Sequence, residues 1–284
     1  MSNKVYPHHR TIALVFDADG TIHEKTMFRS LFKKHGFNEN YFFDQMNELR
    51  DNLKKEDVLT DDITIYFLKM IEFFKEKNLP LTNEILINSG KNLVNQAFPG
   101  MPDAMNRYKE YVKEKYSDLG IEVENYIISS GSRKVLQGSD FDQYLNQIYA
   151  CDTYMMNGII NLAHPMSDTM KTQALFRINK GYENGDHNTP LLDQYKRIPF
   201  ELMIGFEDGQ TGIPMLKLIK SKGGSSIGVY GENENKEKVK KFMEEQINHD
   251  RINAYFKADY SEESSLDQFI KQEIDEKVKL IQKN

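Results

Sequence analysis

The sequence contains a single cysteine, Cys151, and no tryptophan among its 284 residues. One cysteine cannot form an intramolecular disulfide, so a disulfide framework is excluded and a reducing compartment is favoured. A lone cysteine in a mixed segment is more often a small core residue than a nucleophile. A chain of this length can bury enough surface to be stable without cross-links.

Long apolar runs and an excess of positive charge are also lacking. The first apolar run covers only residues 11–16, and charged residues interrupt the later ones every few positions. Such runs are too short for a secretion signal or a membrane span. The 43 aspartates and glutamates outnumber the 37 lysines and arginines, and the net charge of −6 is not typical of a nucleic-acid-binding surface. We therefore expect a soluble, cytoplasmic protein that binds neither nucleic acid nor membranes.

Short apolar segments that stop at turn residues alternate with amphipathic segments along most of the chain. The first are typical of strands buried in a parallel sheet, and the second of helices. This alternation predicts an α/β fold, with a Rossmann-like parallel sheet and helices on both faces. The predicted strands are residues 11–16, 121–128, 147–154, 158–162, 200–206 and 225–230. The predicted helices are residues 103–115, 170–178 and 213–222, with a polar loop at 182–190 and a charged, mostly helical tail from residue 233.

The segment from residue 24 to residue 97 has a different character. Its apolar residues recur at helical spacing, Asn38 and Asp61 are candidate helix starts, and Pro80 marks a break. The pattern predicts about four helices and no strand. We therefore expect two domains, an α/β core formed by residues 1–23 and 98–284 and an all-helical domain at residues 24–97 inserted into it.

The strongest chemical signal is Asp17-Ala18-Asp19-Gly20-Thr21, directly after the first predicted strand. Two carboxylates this close repel each other unless a proton or a cation lies between them. A divalent cation with oxygen ligands solves this problem, and magnesium is the natural choice. An ordinary surface turn is the alternative, since Asp-Gly is a common turn pair. The buried strand immediately before the pair favours a functional site, because α/β folds place their chemistry at the carboxyl ends of strands.

Three further candidates follow other predicted elements. Ser129 and Ser130 end a predicted strand, where hydroxyl and backbone N–H groups can hold a phosphate oxygen. Lys171 begins a helical stretch and can meet both a phosphate and a carboxylate. Asp208 follows the apolar run 200–206 and can supply another metal ligand. Taken alone, the serines suit a plain loop and Lys171 suits a solvated surface position.

In this order the four elements resemble the haloacid dehalogenase superfamily, and the arrangement is most similar to its phosphoserine-phosphatase-like members. The resemblance covers residues 11–22 and 98 to about 230, and residues 24–97 look like the helical cap of that superfamily. It implies a magnesium-dependent phosphatase that hydrolyses a small-molecule phosphate monoester through an aspartyl-phosphate.

The resemblance also implies a role for each candidate residue. Asp17 would be the nucleophile, and Asp19 would be the general acid and base. Phosphate would be bound by Thr21, Ser129, Ser130 and Lys171, and Mg²⁺ by Asp17, Asp208 and the backbone carbonyl of Asp19. The cap would open and close on linkers near residues 23–25 and 96–100 and would select the substrate. Arg29 and Arg133 could bind a carboxylate or a second phosphate, although a surface role is favoured for each.

The sequence departs from the superfamily pattern at one position. Members usually carry Gly-Asp-Gly-x-x-Asp before an Ile-Pro helix start, whereas this chain has Glu207 at the first glycine and Gly212 at the final aspartate. Glu207 or water could replace the missing carboxylate. Three alternatives therefore stay open: a degenerate phosphate-binding or regulatory protein, a phosphotransferase with the same residues, and a metal-independent dehalogenase.

Overall fold

A computed structural model describes residues 9–24, 26–181, 188–232 and 236–283. Within these ranges, seven strands form one sheet in the order β4-β3-β2-β1-β5-β6-β7, and every neighbouring pair is parallel except β3 with β4. The predicted α/β fold with a Rossmann-like sheet is therefore confirmed. The strands are β1 (Thr11–Phe16), β2 (Glu122–Ser132), β3 (Gln147–Met156), β4 (Ile159–His164), β5 (Met203–Glu207), β6 (Ser225–Tyr230) and β7 (Ala254–Lys257).

Ten α-helices connect and cover these strands in the described part of the chain. They are α1 (Arg29–His35), α2 (Glu39–Lys55), α3 (Asp62–Glu76), α4 (Asn83–Gly90), α5 (Asp103–Lys115), α6 (Arg133–Gln137), α7 (Asp168–Lys180), α8 (Ile213–Ser221), α9 (Lys236–Asn248) and α10 (Ser265–Lys283). None of them is both long enough and apolar enough to cross a membrane. Most of the loop predicted at residues 182–190, namely 182–187, lies outside the described residues.

Strand β1 is central and is buried from Ile12 to Phe16. Because successive side chains of a strand point to opposite faces, this continuous burial means that both faces of the sheet are covered. Phe16 lies opposite Ile127 of β2 on one side and Phe206 of β5 on the other. The ends of these three strands therefore reach the same edge of the sheet, which brings Asp17, Ser129 and Asp208 into one region.

The segment between β1 and α5 contains helices α1 to α4 and no named strand, as its periodicity predicts. The side chains of Asn38 and Asp61 accept hydrogen bonds from the N–H groups of Tyr41 (3.1 Å) and Thr64 (2.8 Å), so both are N-caps. Buried aromatic rings, among them Phe32, hold the helices together. The connections to this segment run side by side, with hydrogen bonds joining residue 24 to 96 and residue 98 to 22. The domain division at residues 24–97 stays a prediction.

The C-terminal tail supplies a strand that the sequence pattern did not predict. Ala254–Lys257 form β7 and pair in parallel with β6 at the edge of the sheet. The predicted strand at 200–206 begins only at Met203, because Phe200–Leu202 form a short 3-10 turn. The tail also supports the loop after β1, since the Tyr260 hydroxyl donates a hydrogen bond to the Thr21 carbonyl at 2.8 Å. The tail therefore completes the fold.

Candidate active site

A cavity of about 280 Å³ opens at the carboxyl edge of the sheet. Its floor comes from the loops after β1 and β5, from the end of β2 and from α7, and its upper wall comes from the helical segment. The lining residues are Asp17, Asp19, Thr26, Phe28, Ile63, Tyr66, Ser129, Ser130, Gly131, Lys171, Asp208, Gly209, Gln210 and Thr211. The structure thus brings together six of the seven residues predicted for the site.

Asp17 and Lys171 form an ion pair at the floor of this cavity. The Asp17 N–H donates a hydrogen bond to the Phe206 carbonyl at 3.0 Å, which fixes the residue at the end of β1. The Lys171 ammonium lies 2.8 Å from Asp17 Oδ1 and 3.0 Å from Glu207 Oε2. Burial by itself would lower the pKa of Lys171, but attraction by the two carboxylates outweighs it and raises the pKa above its usual range. Lys171 is therefore a fixed positive charge beside Asp17.

The Glu207 side chain lies against Gly212. A Cβ atom built on Gly212 would lie 1.7 Å from Glu207 Oε2, so the glutamate carboxylate fills the volume that a side chain at position 212 would need. The Glu207 carboxylate occupies this space and accepts a hydrogen bond from Lys171 at 3.0 Å, so it is a candidate replacement for the carboxylate that is missing at position 212. The sequence indicates this exchange at two positions, because it has an acid at position 207, where the superfamily pattern has glycine, and a glycine at position 212, where the pattern has aspartate.

The Asp208 side chain lies close to the loop after β1, much as Glu207 lies close to Gly212. A Cβ atom on Gly20 would lie 2.0 Å from Asp208 Oδ2, and Gly20 has a φ of +77°, which favours glycine. Both the backbone conformation and the space thus require glycine at position 20. This close approach holds the Asp208 carboxylate against the Asp17–Gly20 turn.

The acidic groups of the site fit a hard divalent cation. Ligand atoms of Asp17, Glu207 and Asp208 lie within 4.8 Å of one another. Burial and repulsion by Asp17 raise the pKa of Glu207 well above its usual value, despite the attraction of Lys171. Burial is the main cause of this shift, and repulsion from Asp17 and Asp208 adds to it. A magnesium ion bound by neighbouring carboxylate oxygens would offset that repulsion. The side chain of Asp19 lies outside this group of three.

Asp19 lines the cavity and is close enough to Asp17 for their charges to interact. Its Oδ1 accepts a hydrogen bond from the Met27 N–H at 3.1 Å and lies 3.3 Å from Nε2 of His23. The Asp19 side chain is 37% exposed, yet partial burial, followed by repulsion from Asp17, raises the pKa of its carboxyl group to about 8. Without a bound metal, Asp19 therefore carries a proton at neutral pH and can donate it, as general acid catalysis requires.

The raised pKa of Asp19 predicts a dependence of stability on pH. Between about pH 4, where an unfolded aspartate titrates, and about pH 8 the folded state binds a proton that the unfolded state releases, so stability falls as pH rises. Asp19→Asn removes this loss. At pH 8.5 in EDTA, we expect Asp19→Asn to increase the free energy of unfolding by about 1 kcal/mol, after allowance for solvent screening. The variant should then melt about 2–4 °C above the parent. At pH 4 the two proteins should melt at the same temperature.

Calorimetry across this pH range measures the difference. Asp44→Asn is the matched control because Asp44 is exposed on α2, and it should follow the parent at every pH. A constant difference between Asp19→Asn and the parent from pH 4 to pH 8.5 would contradict the raised pKa.

The predicted phosphate-binding residues differ in their surroundings. Ser129 is buried, and its Oγ accepts a hydrogen bond from the Gly131 N–H at 3.0 Å, so its own hydrogen can be donated toward the cavity. Ser130 lines the cavity but donates its hydroxyl to the Met166 carbonyl at 2.8 Å. Thr21 is fully buried and is not among the cavity-lining residues. Its role in phosphate binding stays a prediction.

Cys151 behaves as a core residue. It is buried on β3 next to the Ser129–Ser132 turn, where its Sγ lies 3.2 Å from the Ser130 carbonyl. Burial raises the pKa of its thiol to about 12, so little of the reactive thiolate exists at neutral pH. Cys151 helps to hold the turn in place.

Comparisons with known proteins support this architecture. No protein-family model matches the sequence. A haloacid dehalogenase family hydrolase from Salmonella enterica serovar Typhi is 15% identical with a TM-score of 0.54, over 88% of this chain and 67% of that one. A substrate-bound phosphoserine phosphatase is 14% identical with a TM-score of 0.52, over 92% and 98% of the two chains. These similarities confirm the predicted haloacid dehalogenase-type, phosphoserine-phosphatase-like fold.

A relative by sequence is an uncharacterized protein of Borreliella burgdorferi. It is 25% identical over 286 residues, which cover 93% of this chain and 96% of that protein. The two chains therefore correspond along almost their full lengths.

Proposed function

We propose that the protein is a magnesium-dependent phosphatase that hydrolyses a phosphate monoester through an aspartyl-phosphate. The observation that carries this proposal is the arrangement at the cavity floor, where Asp17 is held by Lys171 and faces Asp19 and Asp208. A carboxylate nucleophile, a proton donor, a fixed cation and a metal-binding acid are the groups that such a reaction needs.

In the first step an Asp17 carboxylate oxygen attacks phosphorus, and the bond between phosphorus and the ester oxygen breaks. Asp19 gives its proton to the departing alcohol. The raised pKa of this carboxyl group in the metal-free protein fits that role. In the second step Asp19 takes a proton from water, the water oxygen attacks phosphorus, and Asp17 is released with inorganic phosphate. Splitting one displacement into two lowers the barrier of each.

The remaining residues position the phosphoryl group and balance its charge. Lys171 and the Ser129 hydroxyl donate hydrogen bonds to its oxygens. Asp17, Asp208 and the Asp19 backbone carbonyl would hold a magnesium ion, which would neutralise charge on those oxygens. The helical segment forms the wall opposite the floor, and its closure over a bound ester would limit water at the site. We propose that this segment is the cap that covers the bound substrate.

The position of Glu207 favours an active enzyme over a degenerate phosphate-binding protein. Gly212 was the one reason to expect a weakened site, and the Glu207 carboxylate fills the space next to it and bonds to Lys171 at 3.0 Å. The site therefore keeps a carboxylate at this point, contributed by another residue. This supports turnover.

Hydrolysis of p-nitrophenyl phosphate in magnesium and in EDTA tests the proposal. We expect activity with millimolar Mg²⁺, a loss of at least about 100-fold in EDTA because the clustered carboxylates then repel the phosphate, and recovery when Mg²⁺ is restored. Equal rates in EDTA would contradict the metal requirement and favour a dehalogenase-type reaction. Transfer of the phosphoryl group to added alcohols in place of water would identify a phosphotransferase.

A further inference from the structure

The upper wall of the cavity differs from its floor in chemical character. The floor is acidic, whereas the part contributed by the helical segment consists of Phe28, Ile63, Tyr66 and the neutral Thr26. Phe28 and Tyr66 contact each other with ring centroids 5.2 Å apart, so they form a continuous aromatic surface. A phosphate held at the floor places the rest of the ester against this wall.

No described residue of the wall can neutralise a carboxylate on the substrate. Lys171 is the only lysine or arginine among the described residues that line the cavity, and it is bonded to Asp17 and Glu207. The two arginines considered from sequence are paired elsewhere: Arg29 lies 3.2 Å from Glu39, and Arg133 lies 3.0 Å from Asp152. Neither arginine lines the cavity. A buried carboxylate without a cation is strongly unfavourable, and the acidic floor would repel it further.

Tyr66 adds one polar group to the wall. Its hydroxyl is buried and makes no hydrogen bond of good geometry among the described residues, although Thr26 is close enough to interact with it. Burial, together with the nearby Asp19 and Glu39, raises the pKa of this phenol well above 10, so it stays neutral and able to donate. The hydrogen of this hydroxyl is therefore available to Thr26 or to a neutral oxygen of a ligand.

We infer that the substrate is the phosphate ester of a neutral alcohol with an apolar or aromatic face, which packs against Phe28, Ile63 and Tyr66. This inference rests on the proposed phosphatase function and names the substrate class of that site. Esters whose alcohol carries a carboxylate, such as O-phosphoserine, are disfavoured.

A comparison of phenyl phosphate, 4-carboxyphenyl phosphate and O-phosphoserine on the unmodified protein tests the inference. We expect kcat/KM for phenyl phosphate to exceed the other two by at least about tenfold, in line with an unpaired buried charge. The carboxyphenyl ester has the better leaving group, so a preference for phenyl phosphate can arise only from recognition. Equal or faster hydrolysis of either charged ester would overturn the inference and leave the phosphatase proposal intact. Hydrolysis of none of the three would overturn both.

Variants at Tyr66 test the role of the wall. Tyr66→Ala should raise KM for phenyl phosphate about tenfold with little change in kcat, and should leave inhibition by inorganic phosphate unchanged, because phosphate does not reach the wall. Tyr66→Phe keeps the ring and should stay within about twofold of the parent. Tyr41→Phe is the control, since Tyr41 is exposed on α2. A parallel weakening of phosphate inhibition, or an unchanged KM in a folded Tyr66→Ala variant, would overturn the assignment.

Discussion

Asp17→Asn should reduce the hydrolysis of phosphate monoesters at least about 1000-fold while leaving the protein folded. An amide has almost the shape of the carboxylate, so the hydrogen bond from Lys171 at 2.8 Å can be kept. It is a far weaker nucleophile, however, and covalent catalysis through Asp17 would be lost. Steady-state hydrolysis with Mg²⁺ measures the effect, and circular dichroism checks the fold.

The same experiment can detect the covalent intermediate. Acid-quenched parent protein should retain label from a ³²P-labelled ester, in a form that base removes, and Asp17→Asn should retain none. Asp44→Asn is the matched control, because it makes the same chemical change at an exposed position on α2 and should leave both rate and labelling unaltered. Hydrolysis by Asp17→Asn at the parent rate would show that another residue is the nucleophile.

Gly212→Asp should lower both the activity and the stability of the protein, although it restores the residue that the superfamily pattern predicts at this position. The new Cβ would lie 1.7 Å from Glu207 Oε2, and a second carboxylate would be forced against a group whose pKa is already raised by burial and Asp17. Overpacking of this kind costs about 1–3 kcal/mol, and the displaced Glu207 would no longer hold Lys171. We expect a lower melting temperature and at least about a tenfold loss of kcat/KM.

The double variant Glu207→Gly/Gly212→Asp should recover most of both losses. It removes the obstructing carboxylate and supplies one from the other position, so the two changes should show a favourable coupling of about 1–3 kcal/mol in a double-mutant cycle. Gly212→Ala separates steric from electrostatic effects, since it adds the clashing Cβ without a charge. Calorimetry, activity and titration with Mg²⁺ are the measurements. Additive effects, or a stable and active Gly212→Asp single variant, would contradict the shared space that we describe.

Local sequence features are sufficient to predict the parts of the fold that local physics specifies. The run Thr11–Phe16 forms β1 because six apolar or β-branched residues in succession suit a strand buried on both faces. Helices α2 and α3 begin after Asn38 and Asp61 because these side chains cap them. Asp17, Asp19 and Gly20 form the site turn for the same reason, since an apolar strand that stops at small and acidic residues ends at the edge of the sheet. Each of these features depends on residues close together in the chain.

Features that depend on distant contacts required the tertiary structure. Strand β7 has only four residues and is stabilised by pairing with β6, so its own pattern is too short to predict it. The aromatic wall at Tyr66 arises because the helical segment faces a floor built from strands far away in the chain.

The Glu207–Gly212 pair depends on packing in the same way. The sequence by itself determined that an acid and a glycine had changed places in the pattern. Only the tertiary structure decided that the Glu207 side chain extends across the turn Gln210–Gly212 to reach Lys171. The contact between Glu207 and Lys171 depends on tertiary packing, because these residues meet only after β5, α7 and α8 have been brought together.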